Sequence, residues 1–475
     1  MEIFQDSDNK EPAGQVKLIL SALSISAVLL LFWFFQPILF LLSIFILAVI
    51  ILAYNLEYGL YIMTALAFFH GWMIDFSNYE SLREYPFLVS LNAPLIDFWT
   101  VFVLGTTVIV ALIKILTKQK GGDIFKKFPG LIWYGLFLFI SYLAVLSAFD
   151  HNVKASLWYG LRFMTFVYLG FFLLPYHLLD TKKILARVMN ILVWVGVVIS
   201  LYAFSSIFFV SQEWFRLMPY AIKGFAPLGF NHNAVAQPLA IILPISFYLF
   251  LKNYNLRKSS VVWYGFTTAL ILLSALLTLS RAAWIAIFIE VFIVAWFFRD
   301  SIKKYWHDKN LQKYTIPGAI VLFFVLGYML VFTLSSQVVV SSNLSRLHTT
   351  EMAGFYFLES PWLGHGPGMY TRLLSQNAIH IAEYGEPLES HGFIQKILVE
   401  EGIFALLLFF GFLYYVFKRL WPTPFKLNQN YLSVFLLAMA VGAVSLQLFD
   451  ALYFNAVMWF PLGLAIGAHK VIYEK

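Results

Sequence analysis

Apolar stretches of about 18–22 residues recur along the whole chain, each long enough to cross a bilayer's hydrocarbon core as a helix. Lipid offers the backbone no hydrogen-bond partners, so stretches of this kind are confined to helices that satisfy their own N–H and C=O groups. Composition agrees, with 61% of 475 residues hydrophobic and only 12% charged. The expected spans are 17–35, 37–54, 58–74, 94–116, 130–149, 155–176, 188–210, 231–251, 261–279, 282–298, 315–335, 391–417, 430–449 and 456–472. Because Gln36-Pro37 is compatible with a kink as well as a turn, the expectation is an all-α polytopic bundle of about 12–14 helices. A polar tail precedes the first apolar run, which lacks a small-residue cleavage site and so reads as a retained helix.

Positive charge is distributed unevenly among the polar breaks. Of 32 Lys and Arg, 23 fall in every second break or at the termini, and Arg162 and Lys396 lie inside apolar segments. The remaining seven are Arg83, Lys154, Arg216, Lys223, Arg281, Arg346 and Arg372. Positive-inside bias assigns the Lys-rich breaks and both termini to the cytoplasm, and these seven cations to the opposite face. The net charge of +7 then reflects topology and contact with anionic membrane lipids, with no nucleic-acid partner expected. Cysteine is absent, which excludes disulfides and thiolate chemistry.

Three outer breaks are long: 75–93, 211–230 and, largest, 336–390. The last carries loose helical spacing over Leu344–Glu359 and Thr371–Glu383, expected as short surface helices around a turn-rich stretch from Pro361 to Gly368. No internal repeat or soluble catalytic domain is evident, so any chemistry belongs to the membrane fold and its outer loops.

Arg281 follows Ser280 at a tight outer turn; it reads either as a snorkelling interfacial arginine or, lacking an adjacent acid, as the partner of an anionic ligand. His391 follows Ser390, a candidate N-cap that places the imidazole in a helix's first turn. The helix dipole there favours neutral imidazole, whereas Glu389 favours the charged form. Asn231 and Asn233 open another outer helix, and caps alone account for much of their presence. Convergence of the helix starts near 231, 281 and 391 would create an anion site of N–H groups and arginine. Arg216 and Lys223, with Arg346 and Arg372, lie in the two loops flanking those starts. Arg162 is open to a structural or a site role. His365 and His380 lack partners at metal-ligand spacing, and Asn343-Leu344-Ser345 matches a glycosylation acceptor common by chance.

Taken in order, Gly229-Phe230-Asn231-His232-Asn233, Ser280-Arg281-Ala282-Ala283-Trp284, Arg346 leading to Pro361–Gly368, and Ser390-His391-Gly392 running to Glu401-Gly402 resemble the O-antigen ligase/polymerase superfamily of bacterial membrane glycosyltransferases. The resemblance covers roughly residues 225–402; Gly392 stands where the family often has Asn. It divides the chain into an N-terminal transmembrane bundle (1–230) and a ligase-like region (231–475) containing a periplasmic loop at 336–390.

The resemblance implies a GT-C-like enzyme of the bacterial inner membrane, with its active site facing the periplasm and no metal or other cofactor. The donor would be a glycan on undecaprenyl pyrophosphate, and the acceptor lipid A-core or another glycan or protein hydroxyl. Arg281 would neutralise the pyrophosphate and His391 would act as general base, with inversion. Arg346, Arg216, Lys223, Asn231, Asn233, Arg372 and Glu389 would bind substrate. A polymerase of the same superfamily and a protein O-oligosaccharyltransferase are alternatives; a polyprenyl-glycan transporter would use the same cations only to bind.

Overall fold

The computed structural model describes residues 48, 52, 55–75, 92–117, 128–148, 152–210, 215–222, 225–256, 259–300, 320, 323–333, 335–387, 389–423, 431–450 and 455–474. The expected span at 17–35, nearly all of that at 37–54, and the cations Arg83 and Lys223 lie outside the described residues.

The helices are α1 (Glu57–Leu66), α2 (Leu95–Leu116), α3 (Leu131–Ala148), α4 (Val153–Leu178), α5 (Lys182–Phe209), α6 (His232–Asn255), α7 (Val261–Leu277) and α8 (Arg281–Phe297). They continue as α9 (Phe323–Thr333), α10 (Gln337–Glu359), α11 (Tyr370–Gln376), α12 (Ala378–Tyr384), α13 (Phe393–Leu420), α14 (Leu432–Leu446) and α15 (Ala456–Tyr473). Among the described residues, α2–α6, α13 and α15 are long and apolar enough to cross a membrane, and α7, α9 and α14 are shorter apolar helices. The chain is therefore an all-α, multi-pass membrane bundle. A short antiparallel ribbon pairs Met73–Asp75 with Asn92–Pro94.

Helices α6 and α15 are the most enclosed of the spans; α6 packs against α5, α7 and α14, and α13 packs along α3. Aromatic side chains lock the second contact. Tyr134 of α3 lies 5.1 Å from Phe412 of α13 and Phe137 lies 5.4 Å from Phe409, while Tyr134 also stacks on Tyr168 of α4 at 4.5 Å. The buried phenols are satisfied by backbone carbonyls, Tyr134 donating to Met164 (2.9 Å) and Tyr168 to Pro129 (3.0 Å).

Several boundaries differ from expectation. The span expected at 58–74 leaves helix after Leu66, because Trp72 N–H donates to the Phe69 carbonyl in a turn that feeds the ribbon. Helix α5 starts at Lys182 instead of 188, since the Thr181 hydroxyl accepts from Ile184 N–H and caps it there. The expected helix at 371–383 is two, divided by Asn377, whose side chain caps the second by accepting from His380 N–H.

Helix α13 breaks at Gly402, at φ 78°. In an unbroken helix Ile403 N–H would bond Val399; here it donates to the Pro361 carbonyl (2.9 Å). The freed carbonyls are taken by the loop: His365 N–H donates to Val399 (2.9 Å) and Gly366 N–H to Glu400 (2.8 Å). A Cβ on Gly402 would sit 2.3 Å from the Trp362 carbonyl oxygen, and one on Gly364 would sit 2.4 Å from the Glu400 carbonyl carbon. Gly402→Ala therefore combines left-handed strain with a backbone collision, and is expected to destabilise by about 1–3 kcal/mol. Thermal unfolding in detergent reads this directly; an unchanged midpoint would show that the loop is not seated in the break.

Candidate active site

The turn between α7 and α8 is tight enough to hold Leu279 at φ 55°, a conformation costly for a branched side chain. It delivers Ser280 to the start of α8, where the hydroxyl accepts from Ala283 N–H (3.4 Å) and donates to Asn233 Oδ1 (2.7 Å). Asn231 caps α6 by accepting from Asn233 N–H (2.9 Å). One buried side-chain bond thus ties two helix N-termini side by side, each with first-turn N–H groups that no intrahelical carbonyl can satisfy.

Beside this junction lies a cavity of about 80 Å³, lined by His232, Asn233, Leu279 and three guanidinium groups: Arg216, Arg281 and Arg346. Each arginine arrives by its own route. Arg281 is the first residue of α8, and its guanidinium donates to Asn343 Oδ1 of α10 at 2.6 Å. Arg346 lies one turn further along α10, on the face that Asn343 presents. Arg216 is set beside the α7–α8 turn by Leu217 N–H, which donates to the Leu277 carbonyl (2.9 Å).

The electrostatics call for an anion. The buried Nε of Arg346 makes no hydrogen bond. Burial, and then the charge of Arg281, lower the Arg346 pKa, opposed by Asp450; burial also lowers that of Arg216. Three like charges sharing one small cavity repel until a polyanion neutralises them.

His391 is half-buried and close enough to Arg346 to feel its charge. Burial and then Arg346 lower its pKa below 6.5, against a weaker opposing pull from Glu389. The imidazole is therefore neutral at neutral pH, as a proton acceptor must be. The cause differs from the expected one. Ser390 does not cap the helix: α13 begins at Phe393 after Gly392, and the Ser390 hydroxyl bonds the Gly392 carbonyl (3.3 Å). Phe393 N–H is taken instead by the Gln447 carbonyl (3.1 Å), while a Cβ on Gly392 would sit 2.7 Å from the Leu448 carbonyl oxygen. His391 thus precedes the first turn, and burial replaces the helix dipole as the main influence.

Other sequence candidates fall elsewhere. Glu389 pairs with the buried Lys396 Nζ, which also lies 3.5 Å from Glu400. Glu400 in turn accepts from Tyr370 N–H (3.1 Å), so the strand of chain carrying His391 is clamped to α13 and α11. Arg372 is exposed on α11 and does not line the cavity. Asn231 is exposed and occupied as a cap. Conversely, sequence reasoning passed over Asn343, the tether of Arg281, and the pair formed by Gln237 Nε2 and Asp450 Oδ2 (2.6 Å). An acid directly after an outer apolar run was the one available signal for Asp450. Among the described residues, no three His, Asp or Glu side chains gather in the manner of metal ligands.

Since the folded His391 binds its proton more weakly than the unfolded chain, stability falls as pH drops below 6.5 and levels off below the folded pKa. Arg346→Met removes one of the two lowering influences and leaves burial. NMR titration of labelled histidines, assigned with His391→Ala, should show the His391 pKa moving up toward 6.5 without passing it; no movement would separate the two residues.

A family model described as O-Antigen ligase matches residues 266–410. The matched stretch contains Arg281, Arg346, His391 and the break at Gly402. No curated protein matches the chain. Members of the family are glycosyltransferase-like enzymes of the bacterial inner membrane that use a lipid-linked glycan donor and a glycan acceptor. Residues 266–410 are thus similar to the O-antigen ligase family, a match that supports the O-antigen ligase/polymerase superfamily.

Proposed function

We propose that the protein is an O-antigen ligase: a metal-independent, inverting glycosyltransferase that moves a glycan from undecaprenyl pyrophosphate to a hydroxyl of lipid A-core at the periplasmic face. The observation that carries this reading is the meeting of Arg216, Arg281 and Arg346 in one cavity, with His391 beside Arg346. The pyrophosphate lies among the guanidinium groups and the helix N-termini of α6 and α8. The neutral His391 imidazole takes the proton of the acceptor hydroxyl, whose oxygen forms a bond to the anomeric carbon. The bond from that carbon to the phosphate oxygen breaks on the opposite face, and the electron pair leaves on undecaprenyl pyrophosphate. Negative charge grows on the leaving oxygen where the arginines already stand, so they stabilise the transition state more than the bound donor.

The gathering of cations at one end of the bundle suits chemistry at one face better than a path across the membrane. Arg281→Ala and His391→Ala are each expected to abolish transfer by purified protein on a lipid-linked donor, with membrane insertion intact. Arg281→Lys should lose roughly 10²-fold or more, because an ammonium lacks the phosphate-matching fork. Transfer retained by His391→Ala would remove the base from the mechanism. In a bacterium lacking the protein, carrier-bound polymer should accumulate; core capped with a single repeat would indicate a polymerase instead.

A further inference from the structure

A second, larger cavity, of about 190 Å³, lies at the same end of the bundle and is not used by the mechanism above. Helix α4 supplies most of its lining residues, Phe163, Phe166 and Phe171 among them. Set into this aromatic lining are Asp97, from the first turn of α2, and Arg162, which sits 4.8 Å over the Phe163 ring. Arg162 and Asp97 approach to 3.6 Å, an ion pair longer than a hydrogen bond, so both keep bonding capacity toward a guest. His70 also lines the cavity, and its buried Nδ1 makes no hydrogen bond. Burial, opposed by a hydrogen bond to the Phe68 backbone, holds that imidazole at a pKa of about 4, so it is neutral and Nδ1 is open to a guest.

The two cavities are neighbours. A Cβ on Gly229 would lie 3.9 Å from His70 Nε2, and Gly229 leads through Phe230 into the capped start of α6 that lines the arginine cavity. Asn455, the cap of α15, lines the second cavity and lies five residues beyond Asp450, whose charge Arg346 feels.

A pyranose ring is the ligand whose chemistry matches this wall. Its axial C–H face packs on aromatic rings, and its rim carries hydroxyls that donate and accept at once. A carboxylate, a guanidinium and a neutral imidazole around phenylalanines answer both demands. An isoprenoid chain would leave the ion pair and the imidazole nitrogen desolvated and unpaired. A second phosphate would meet the Asp97 carboxylate. We propose that this cavity is a saccharide subsite holding a single pyranose ring of the acceptor, an assignment to the acceptor that rests on the glycosyl-transfer reading.

Saturation-transfer NMR on the full chain in detergent, with the methyl pyranosides of glucose, galactose and N-acetylglucosamine as probes, tests the subsite without turnover. Transfer to the ring protons of at least one probe is expected. Asp97→Asn and Phe163→Ala should each weaken that probe's binding about tenfold while the sugar-free melting midpoint stays at the wild-type value. Arg162→Lys, which keeps the charge but loses the fork, gives a second route should Asp97→Asn fail to fold. No transfer to any of the three probes, or equal binding by wild type and variants, would overturn the proposal. Displacement of the bound pyranoside by geranyl phosphate in the Arg281→Ala protein, where the arginine cavity is crippled, would also overturn it by marking the pocket as a lipid site. Pyranoside binding with no transfer activity in the wild-type protein would sink the ligase reading and leave the subsite standing.

Discussion

At Gly402 a membrane helix surrenders its own backbone hydrogen bonds to a loop, and the arrangement of the site follows from that exchange. The carbonyls of Val399 and Glu400 would be costly to leave bare within a membrane protein, and the N–H groups of His365 and Gly366 satisfy them. The Pro361–Gly368 turn is thereby fixed against α13. Helix α10, which enters that turn, is held at two points along its length: Gln395 donates to Thr350 (2.7 Å), and Arg281 donates to Asn343. The loop that brings Arg346 to the cavity is thus bolted to the same helix that follows His391.

Charge is handled differently on the two sides of the site. The acids Glu389 and Glu400 are gathered around Lys396, a buried ammonium whose position between them offsets its own desolvation and that of Glu400. Asp450, whose charge Arg346 feels, is itself held by Gln237. The guanidinium groups of Arg216, Arg281 and Arg346 share one small cavity. Such crowding costs stability in the empty protein, and it is the arrangement that binds and stabilises a polyanion most strongly.

How much of this was legible beforehand depends on how local each feature is. Membrane helices follow from runs of apolar residues, and most spans fall within a few residues of expectation. Arg216, Arg281 and Arg346 stand out because topology makes outer cations rare, and all three line one cavity. The miscast features depend on contacts distant in sequence. The true start of α13 is set by Gln447 and Leu448, more than fifty residues on, so Ser390 looked like a cap and is none. Glu389, expected among the substrate residues, is paired with Lys396, seven residues on. Asn343 resembled a chance glycosylation pattern, though its amide oxygen is what Arg281 grips. The phenylalanine-lined cavity draws on α2, α4, the segment after α1 and the cap of α15, and no linear pattern announces it.

The modest size of the arginine cavity carries a consequence for what the enzyme reads. At about 80 Å³ it encloses the diphosphate junction and little besides, so on the proposed reading the polymer on one side and the isoprene tail on the other both hang outside the walls. An enzyme that inspects only the linkage is indifferent to how many units have been strung together. Donors bearing one repeat or a hundred would present the same face to it, and control over chain length must then be exerted elsewhere, before the finished strand arrives.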